Sequence, residues 1–450
     1  MPILNKNVKK ISPARTLVLG FLIIILVGTL LLFLPFASAD GTSADFSECL
    51  FTATSATCVT GITVADTYSS WSLFGQIVIA LLIQIGGLGF VSIITFFNIA
   101  AGKKLGFRTL ANAADGLTEN SFVGGRSIFV SIIKYSLIIE LVGAVILGFA
   151  FVPKYGAYGV WVSIFMSISA FCNAGFDLMG QADGVSSLIG FSNQPLVLIT
   201  IALLITIGGL GFVVWENFLN IRKVRKLSLH TRAVLLMTAI LVVGGTIFYL
   251  ASEWSNPATI GDMDFGQKLL NAFFSSVSNR SAGFSSIDVA EMTSFSQLGT
   301  MLLMMIGVAP ASTGGGIKVT TLLVLVMTVV SYIKNKNDVE IFRHKIDKLT
   351  VYRTLVITTL TMSAVMVCFT VIYCFTSFDA LQCLFESVAA CSTAGLSLGV
   401  SSAAGFGGKA VIMLFMFCGR IGPVSLIMSL TLNSSKRKNL VVPDGQIFIG

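Results

Sequence analysis

The sequence predicts an all-α integral membrane protein with eight transmembrane helices, folded as four helix–loop–helix repeats around one axis. Three observations predict it. The 450 residues are 55% hydrophobic and only 11% charged, with a mean hydropathy of +0.89, whereas soluble domains carry about 25% charged residues. A tripeptide ending in glycine recurs four times: Val59-Thr60-Gly61, Asn173-Ala174-Gly175, Ser281-Ala282-Gly283 and Thr393-Ala394-Gly395, with glycines 114, 108 and 112 residues apart. A fixed period means one supersecondary unit used repeatedly. Finally, 22 of the 29 lysines and arginines fall at the two termini and in the linkers between repeats, which places those segments and both termini on the cytoplasmic side.

The elements follow in order. Runs 16–38, 69–102 and 354–377 hold no charge, and about 20 apolar residues cross a hydrocarbon core. The first run is too long and too poorly flanked for a cleaved signal and is the first membrane helix. Repeat one (1–125) holds a helix at 16–36, a half-helix at 45–56 and a second helix at 74–101. Repeat two (126–232) holds 127–152, 160–171 and 195–219. Repeat three (233–350) holds 233–251, 265–278 and a long segment at 297–333. Repeat four (351–435) holds 354–375, 379–390 and 409–432, and 436–450 is a cytoplasmic tail. The four middle segments are about a dozen residues long, too short to span, and are therefore re-entrant. Asp45-x-x-Glu48, Asp264-x-x-Gln267 and Asp379-x-x-Gln382 mark three of their starts as capping boxes.

A half-helix that enters from outside and ends mid-membrane turns its negative C-terminal dipole toward the loop below. Glycine there tolerates positive φ and close backbone approach. Four such loops meeting on one central pore present backbone carbonyls to a dehydrated cation. The candidate filter is Thr57, Cys58, Val59, Thr60 and Gly61, then Cys172, Asn173, Ala174 and Gly175. It continues with Asn279, Arg280, Ser281, Ala282 and Gly283, then Ser392, Thr393, Ala394 and Gly395. The segments flanking these loops hold thirteen acidic residues against four basic ones. Two readings stay open: a vestibule that concentrates cations, or the passive complement of a basic inner face.

A second echo follows each loop. Ile85-Gly86-Gly87-Leu88-Gly89-Phe90 recurs as Ile207-Gly208-Gly209-Leu210-Gly211-Phe212, read first as close helix packing. Repeat three differs. Gly307, Pro310, Ala311, Ser312, Thr313, Gly314, Gly315 and Gly316 interrupt its second helix, and no continuous helix carries that run. A broken membrane helix lines a wet path, so this loop, with Lys318, is the candidate gate; a passive kink is the alternative. Arg420 lies near the middle of its span and needs a partner. It is read as a barrier or as an anchor for the gate loop, with an ion pair to Glu140 as the alternative. Arg280 is expected to pair with Glu386.

Other chemistries find no footing. The eight cysteines form no CxxC pair, and His230 and His344 sit in basic linkers, so neither a disulfide scaffold nor a zinc site is indicated. The net charge of +8 is the inside–outside asymmetry, without the aromatic-interleaved basic face of a nucleic-acid binder. No intramembrane catalytic set accompanies Glu140, so the chain is read as no enzyme and as holding no cofactor.

Taken together, Thr57-Cys58-Val59-Thr60-Gly61, Asn173-Ala174-Gly175-Phe176, Arg280-Ser281-Ala282-Gly283-Phe284, Ser392-Thr393-Ala394-Gly395-Leu396, the loop ending Gly314-Gly315-Gly316-Ile317-Lys318, and Gly419-Arg420-Ile421-Gly422-Pro423 resemble the Trk/Ktr/HKT superfamily of potassium transporters. The bacterial Ktr membrane subunit is most similar, since the chain starts directly with repeat one. The resemblance implies gated potassium uptake driven by membrane potential, with Gly61 marking potassium over sodium. It implies potassium at the filter carbonyls, a homodimer in the cell membrane, and a cytoplasmic nucleotide-binding RCK partner. Sodium dependence is common among Ktr systems and is not visible in the residues. The tail 442–450 is similar to family tails near the dimer interface. Three consecutive glycines in the gate loop are expected to loosen it. The ion-conducting subunit of an ATP-driven potassium pump shares the repeat plan and is the competing function.

Overall fold

The computed structural model describes residues 13–100, 125–180, 187–219, 221 and 226–430. The basic N-terminus, the linker holding Lys103 and Lys104, and the tail 442–450 lie outside the described residues. Among the described residues the regular structure is helical, apart from one two-stranded hairpin, Glu340–Ile341 with His344–Lys345, in the linker after repeat three.

Repeat one comprises α1 (Pro13–Leu32), the half-helix α2 (Phe46–Cys58) and α3 (Leu73–Ala100). Repeat two has α4 (Gly125–Tyr155), the half-helix α5 (Tyr158–Phe171), α6 (Pro195–Gly209) and α7 (Phe212–Leu219). Repeat three has α8 (Leu229–Glu253), the half-helix α9 (Phe265–Ser278), α10 (Ser294–Met305) and α11 (Val319–Ile333). Repeat four has α12 (Lys348–Phe375), the half-helix α13 (Ala380–Ser392), α14 (Phe406–Ile421) and α15 (Pro423–Leu430).

Local signals explain many boundaries. Pro195 opens α6, where its missing N–H costs nothing. The Ser228 hydroxyl caps α8 by accepting from Thr231 N, and Thr293 caps α10 by accepting from Ser296 N. Of the three expected capping boxes, only Asp379–Gln382 forms, with Asp379 N donating to Gln382 Oε1 at 3.2 Å. Asp45 and Asp264 precede their helices without a side-chain cap bond. Inside the helices, Thr29, Thr54, Thr200, Thr246 and Thr361 return their hydroxyls to the carbonyl four residues back. That satisfies a polar group where water is absent.

Among the described residues, four helices are long and apolar enough to cross a membrane, in segments Arg15–Leu32, Ile132–Tyr155, Leu229–Glu253 and Lys348–Phe375. These outer helices turn apolar side chains outward, Phe149 at 73% exposure and Val243 at 58% among them. The half-helices are the reverse, buried almost throughout their second halves.

The second helices depart from expectation. Only the one in repeat three was expected to break, but all four do, each at a glycine with positive φ. Gly89 (φ 70) kinks α3, Gly211 (φ 86) turns α6 into α7 through 92°, and Gly422 (φ 87) separates α14 from α15. In repeat three Gly316 (φ 72) lies in the loop between α10 and α11. An L-residue at such a φ is strained, whereas glycine is not. The close-packing reading of the same run also has a geometric basis. A Cβ added at Gly86, Gly208 or Gly419 would overlap the carbonyl oxygen of Thr57, Phe171 or Cys391 respectively. Each of these carbonyls lies four residues before a loop glycine, so every such helix is pressed onto the end of its own half-helix.

Candidate functional site

The four tripeptides meet in a closed ring. A Cβ built on Gly61 would overlap the Ala174 oxygen; one on Gly175 would lie 2.8 Å from the Ala282 oxygen. One on Gly283 would lie 3.0 Å from the Ala394 oxygen, and one on Gly395 would overlap the Thr60 oxygen. Each glycine thus faces the carbonyl preceding the next glycine, in chain order, until the fourth returns to the first. The backbone reaches this arrangement the same way four times. Val59, Asn173, Ser281 and Thr393 take left-handed φ of 54, 59, 67 and 51°, and the glycines follow at 89, 72, 78 and 86°. Two left-handed residues around one ordinary residue turn the chain sharply away from the half-helix axis.

The half-helices hold these loops by their own polar side chains. Ser55 Oγ accepts from Gly61 N at 3.2 Å. Ser169 Oγ donates to Phe176 O at 2.6 Å, and Ser278 Oγ to Phe284 O at 2.5 Å. Repeat four has no such serine. Its Glu386 accepts from Ser397 Oγ, Leu398 N, Ser401 N and Ser401 Oγ, pinning the exit segment instead. The expected Arg280–Glu386 pair is therefore absent: the carboxylate is already engaged by donors of its own repeat. Arg280 is 2% exposed, and its Nε has no partner. Its side chain borders a small cavity of about 10 Å³ lined by Ile205, Thr206, Gly209, Thr238 and Val308. Beside it, Asn279 Nδ2 donates to Tyr249 OH at 2.5 Å.

Thr57, Cys58, Thr60, Cys172 and Ser392 are buried with the ring. The Thr57, Thr60 and Thr393 hydroxyl oxygens are committed to no other protein group. The ring therefore offers uncharged oxygens, the ligand type that suits a weakly bound monovalent cation. No group of three or more histidine, cysteine or acidic side chains poised for a metal ion occurs among the described residues.

Directly against the ring lies the loop between α10 and α11. Gly307 N donates to Ile317 O, Ile317 N to Met305 O and Val319 N to Val308 O, closing the loop on itself. It docks into the break of repeat two through Ala309 N to Gly209 O (3.0 Å) and Phe212 N to Ala311 O (2.9 Å). Lys318 Nζ donates to Gly314 O at 2.7 Å and Gly315 O at 3.4 Å. Arg420 bridges two repeats: it donates to Thr313 O of the loop and to Gly86 O and Gly87 O at the kink of repeat one. Its alternative partner, Glu140, instead accepts from Gln84 Nε2 at 3.0 Å. The expected loosening by three glycines is not what the geometry shows. A Cβ at Gly315 would overlap Thr393 Oγ1, and one at Gly314 would sit 2.9 Å from Ser281 Oγ. Gly314 and Gly315 are what let the loop seat closely, and only Gly316 uses the glycine-only φ.

The family model described as TrkH, cation transport protein, matches residues 13–439.

The chain belongs to the TrkH cation transport family.

It is 38% identical to the potassium/sodium uptake protein NtpJ of Enterococcus hirae, over the whole of both chains. It is 35% identical to the Ktr system potassium uptake protein B of Bacillus subtilis, covering 98% of this chain and 97% of that one. The Vibrio alginolyticus protein of the same name is 36% identical, with 92% and 90% covered. The crystal structure of the potassium transporter TrkH from Vibrio parahaemolyticus shares the fold, with a TM-score of 0.73 at 17% identity over 95% of this chain and 86% of that one.

Several features around the ring were not picked out from the sequence. The serines at 55 and 169 stand six residues before their glycines, a repeat-level signal that was legible. Gln84 was not: it links Glu140 to Cys172 Sγ, 3.8 Å from its Oε1, and only the packed fold joins those helices. Beyond the second loop, Asp177 accepts from Met179 N at 3.0 Å. Burial pushes its carboxyl up to about 6, with the Asp66 charge adding to the rise.

Proposed function

We propose that this chain conducts potassium ions into the cell through the ring formed by Gly61, Gly175, Gly283 and Gly395, with the loop at 307–316 as gate. The closed order of the ring, each glycine against the carbonyl of the next repeat, is the observation that carries the reading. Four backbone segments held at contact distance replace a hydration shell without any charged ligand. The relatives' names, potassium uptake and potassium/sodium uptake, support the cargo and make sodium the ion to test beside it. The membrane potential supplies about 2.3 kcal/mol per 100 mV to each entering charge. No charge is needed at the ring to drive uptake.

The finer assignments belong to the same proposal. Each repeat contributes two spans, eight in all, with the boundaries given by the four-fold period. The basic linkers and both termini face the cytoplasm. The chain works as a homodimer over a cytoplasmic nucleotide-binding RCK partner, the assembly implied by its resemblance to Ktr membrane subunits. Lys318 and Arg420 hold the gate loop by its own carbonyls, which is a tether rather than a barrier. The pump and enzyme alternatives draw no support from the relatives.

Complementation tests the reading. The chain, expressed in a bacterium lacking potassium uptake, restores growth at low potassium, and a nucleotide-binding partner subunit raises the rate. Failure to restore growth, with the protein present in the membrane, would count against potassium as cargo. Deleting 311–316 raises the resting flux; an unchanged flux would remove the gate role.

A further inference from the structure

We propose that the Ser281 hydroxyl is a positioning group that couples the seat of the intramembrane loop to the ion preference of the filter; this rests on the filter and gate reading above. Ser281 is fully buried at the first position of the third tripeptide. Its Oγ accepts from Gly315 N at 2.9 Å and donates to Thr393 O at 3.0 Å, with Ser392 O at 3.5 Å. One side chain therefore joins the gate loop, the third filter strand and the fourth. No equivalent position does this. Val59 has no polar side-chain atom, the Asn173 amide is best oriented to donate to Ile205 O and Ala170 O, and the Thr393 hydroxyl has no partner.

A hydroxyl has one proton to place. With the loop seated, Gly315 N–H occupies a lone pair of Ser281 Oγ, which fixes the rotor and polarises its proton toward the Thr393 carbonyl. A carbonyl engaged in this way is a poorer cation ligand. When the loop leaves, the buried oxygen loses its donor, the rotor is freed, and the Thr393 carbonyl becomes available to the ion. The seated and released states then differ in how strongly the filter prefers potassium over sodium. Gly315 is the complementary handle, because a Cβ there would overlap Thr393 Oγ1 and unseat the loop.

The test is a double-substitution cycle on the full chain purified in detergent, reading the ratio of sodium to potassium Kd by calorimetry. Gly315→Ala in the Ser281 background shifts that ratio by about three- to tenfold, the size expected for hydrogen-bonded neighbours. In the Ser281→Ala background the shift disappears; Ser281→Thr retains it. Ser281→Cys, which preserves volume and donates weakly, shows a reduced shift and serves where the alanine variant does not fold. Equal shifts in the Ser281 and Ser281→Ala backgrounds, or a full shift in Ser281→Cys, would overturn the coupling. An unsubstituted chain that binds potassium no better than sodium would overturn the filter reading itself, and the coupling with it.

Discussion

Alanine placed at each ring glycine separates the four positions by geometry alone. All four carry φ between 72 and 89°, so all four lose about 1–2 kcal/mol to left-handed strain. The contacts differ. Ordinary van der Waals contact begins at 3.4 Å, so the Cβ of Gly283→Ala, 3.0 Å from the Ala394 oxygen, needs a shift of about 0.4 Å; Gly175→Ala, at 2.8 Å, needs about 0.6 Å. At Gly61 and Gly395 the new Cβ overlaps the neighbouring carbonyl outright, and the displacement is roughly twice or more that at Gly283. The shifted atom is a backbone oxygen of the adjacent loop, and it cannot rotate away as a side chain can. Potassium-over-sodium discrimination therefore falls about tenfold or more at Gly61 and Gly395, equivalent to about 1.4 kcal/mol, and about threefold at Gly175 and Gly283. Rubidium uptake into potassium-uptake-deficient cells, with sodium as competitor, measures it. Four equal losses, or larger losses at Gly175 and Gly283, would refute the ring geometry.

Arg420→Gln removes charge-assisted donors to Thr313 O and to Gly86 O and Gly87 O, each worth about 1.5–3 kcal/mol. Resting flux in proteoliposomes then rises about tenfold, and a lower flux would argue for a pore-lining role in place of a tether. Gly208→Ala drives a Cβ into the Phe171 carbonyl and lowers thermal stability by about 1–3 kcal/mol. Gly266→Ala, with nothing within 4 Å in the half-helix α9, raises it slightly, and thermal melts in detergent compare the two. Asp177 is raised above its ordinary 3.8 to about 6 by burial. Its ionised form is the costly one, so its contribution to stability is largest in acid and falls as pH climbs from about 4 to about 6. Its negative charge is present only above about 6. Apparent potassium affinity accordingly weakens as external pH drops through 6, and Asp177→Asn flattens that profile; an unchanged profile in the variant would remove Asp177 from cation attraction.

The period of the glycines, the length of each apolar run and the clustering of lysine and arginine between the repeats are properties of the linear chain. The larger positive φ two residues after the first left-handed residue of each loop, 72 to 89°, favours glycine locally, so Gly61, Gly175, Gly283 and Gly395 stand out in a single sequence. The run at 307–316 stands out for the same reason, since helix breakers show without any partner. The breaks at Gly89, Gly211 and Gly422 were less legible, because one glycine in an apolar helix reads equally as packing or as a kink. The tertiary structure decided what no local signal holds. It ordered the four loops into a ring and seated Gly314 and Gly315 against Ser281 and Thr393. It sent Arg420 to carbonyls 107 and 334 positions away and gave Glu386 to serines of its own repeat, leaving Arg280 unpaired. Backbone conformation is set within a few residues and is written where it acts. Which carbonyl meets which buried cation depends on how segments distant in sequence pack, and that appears only once they do.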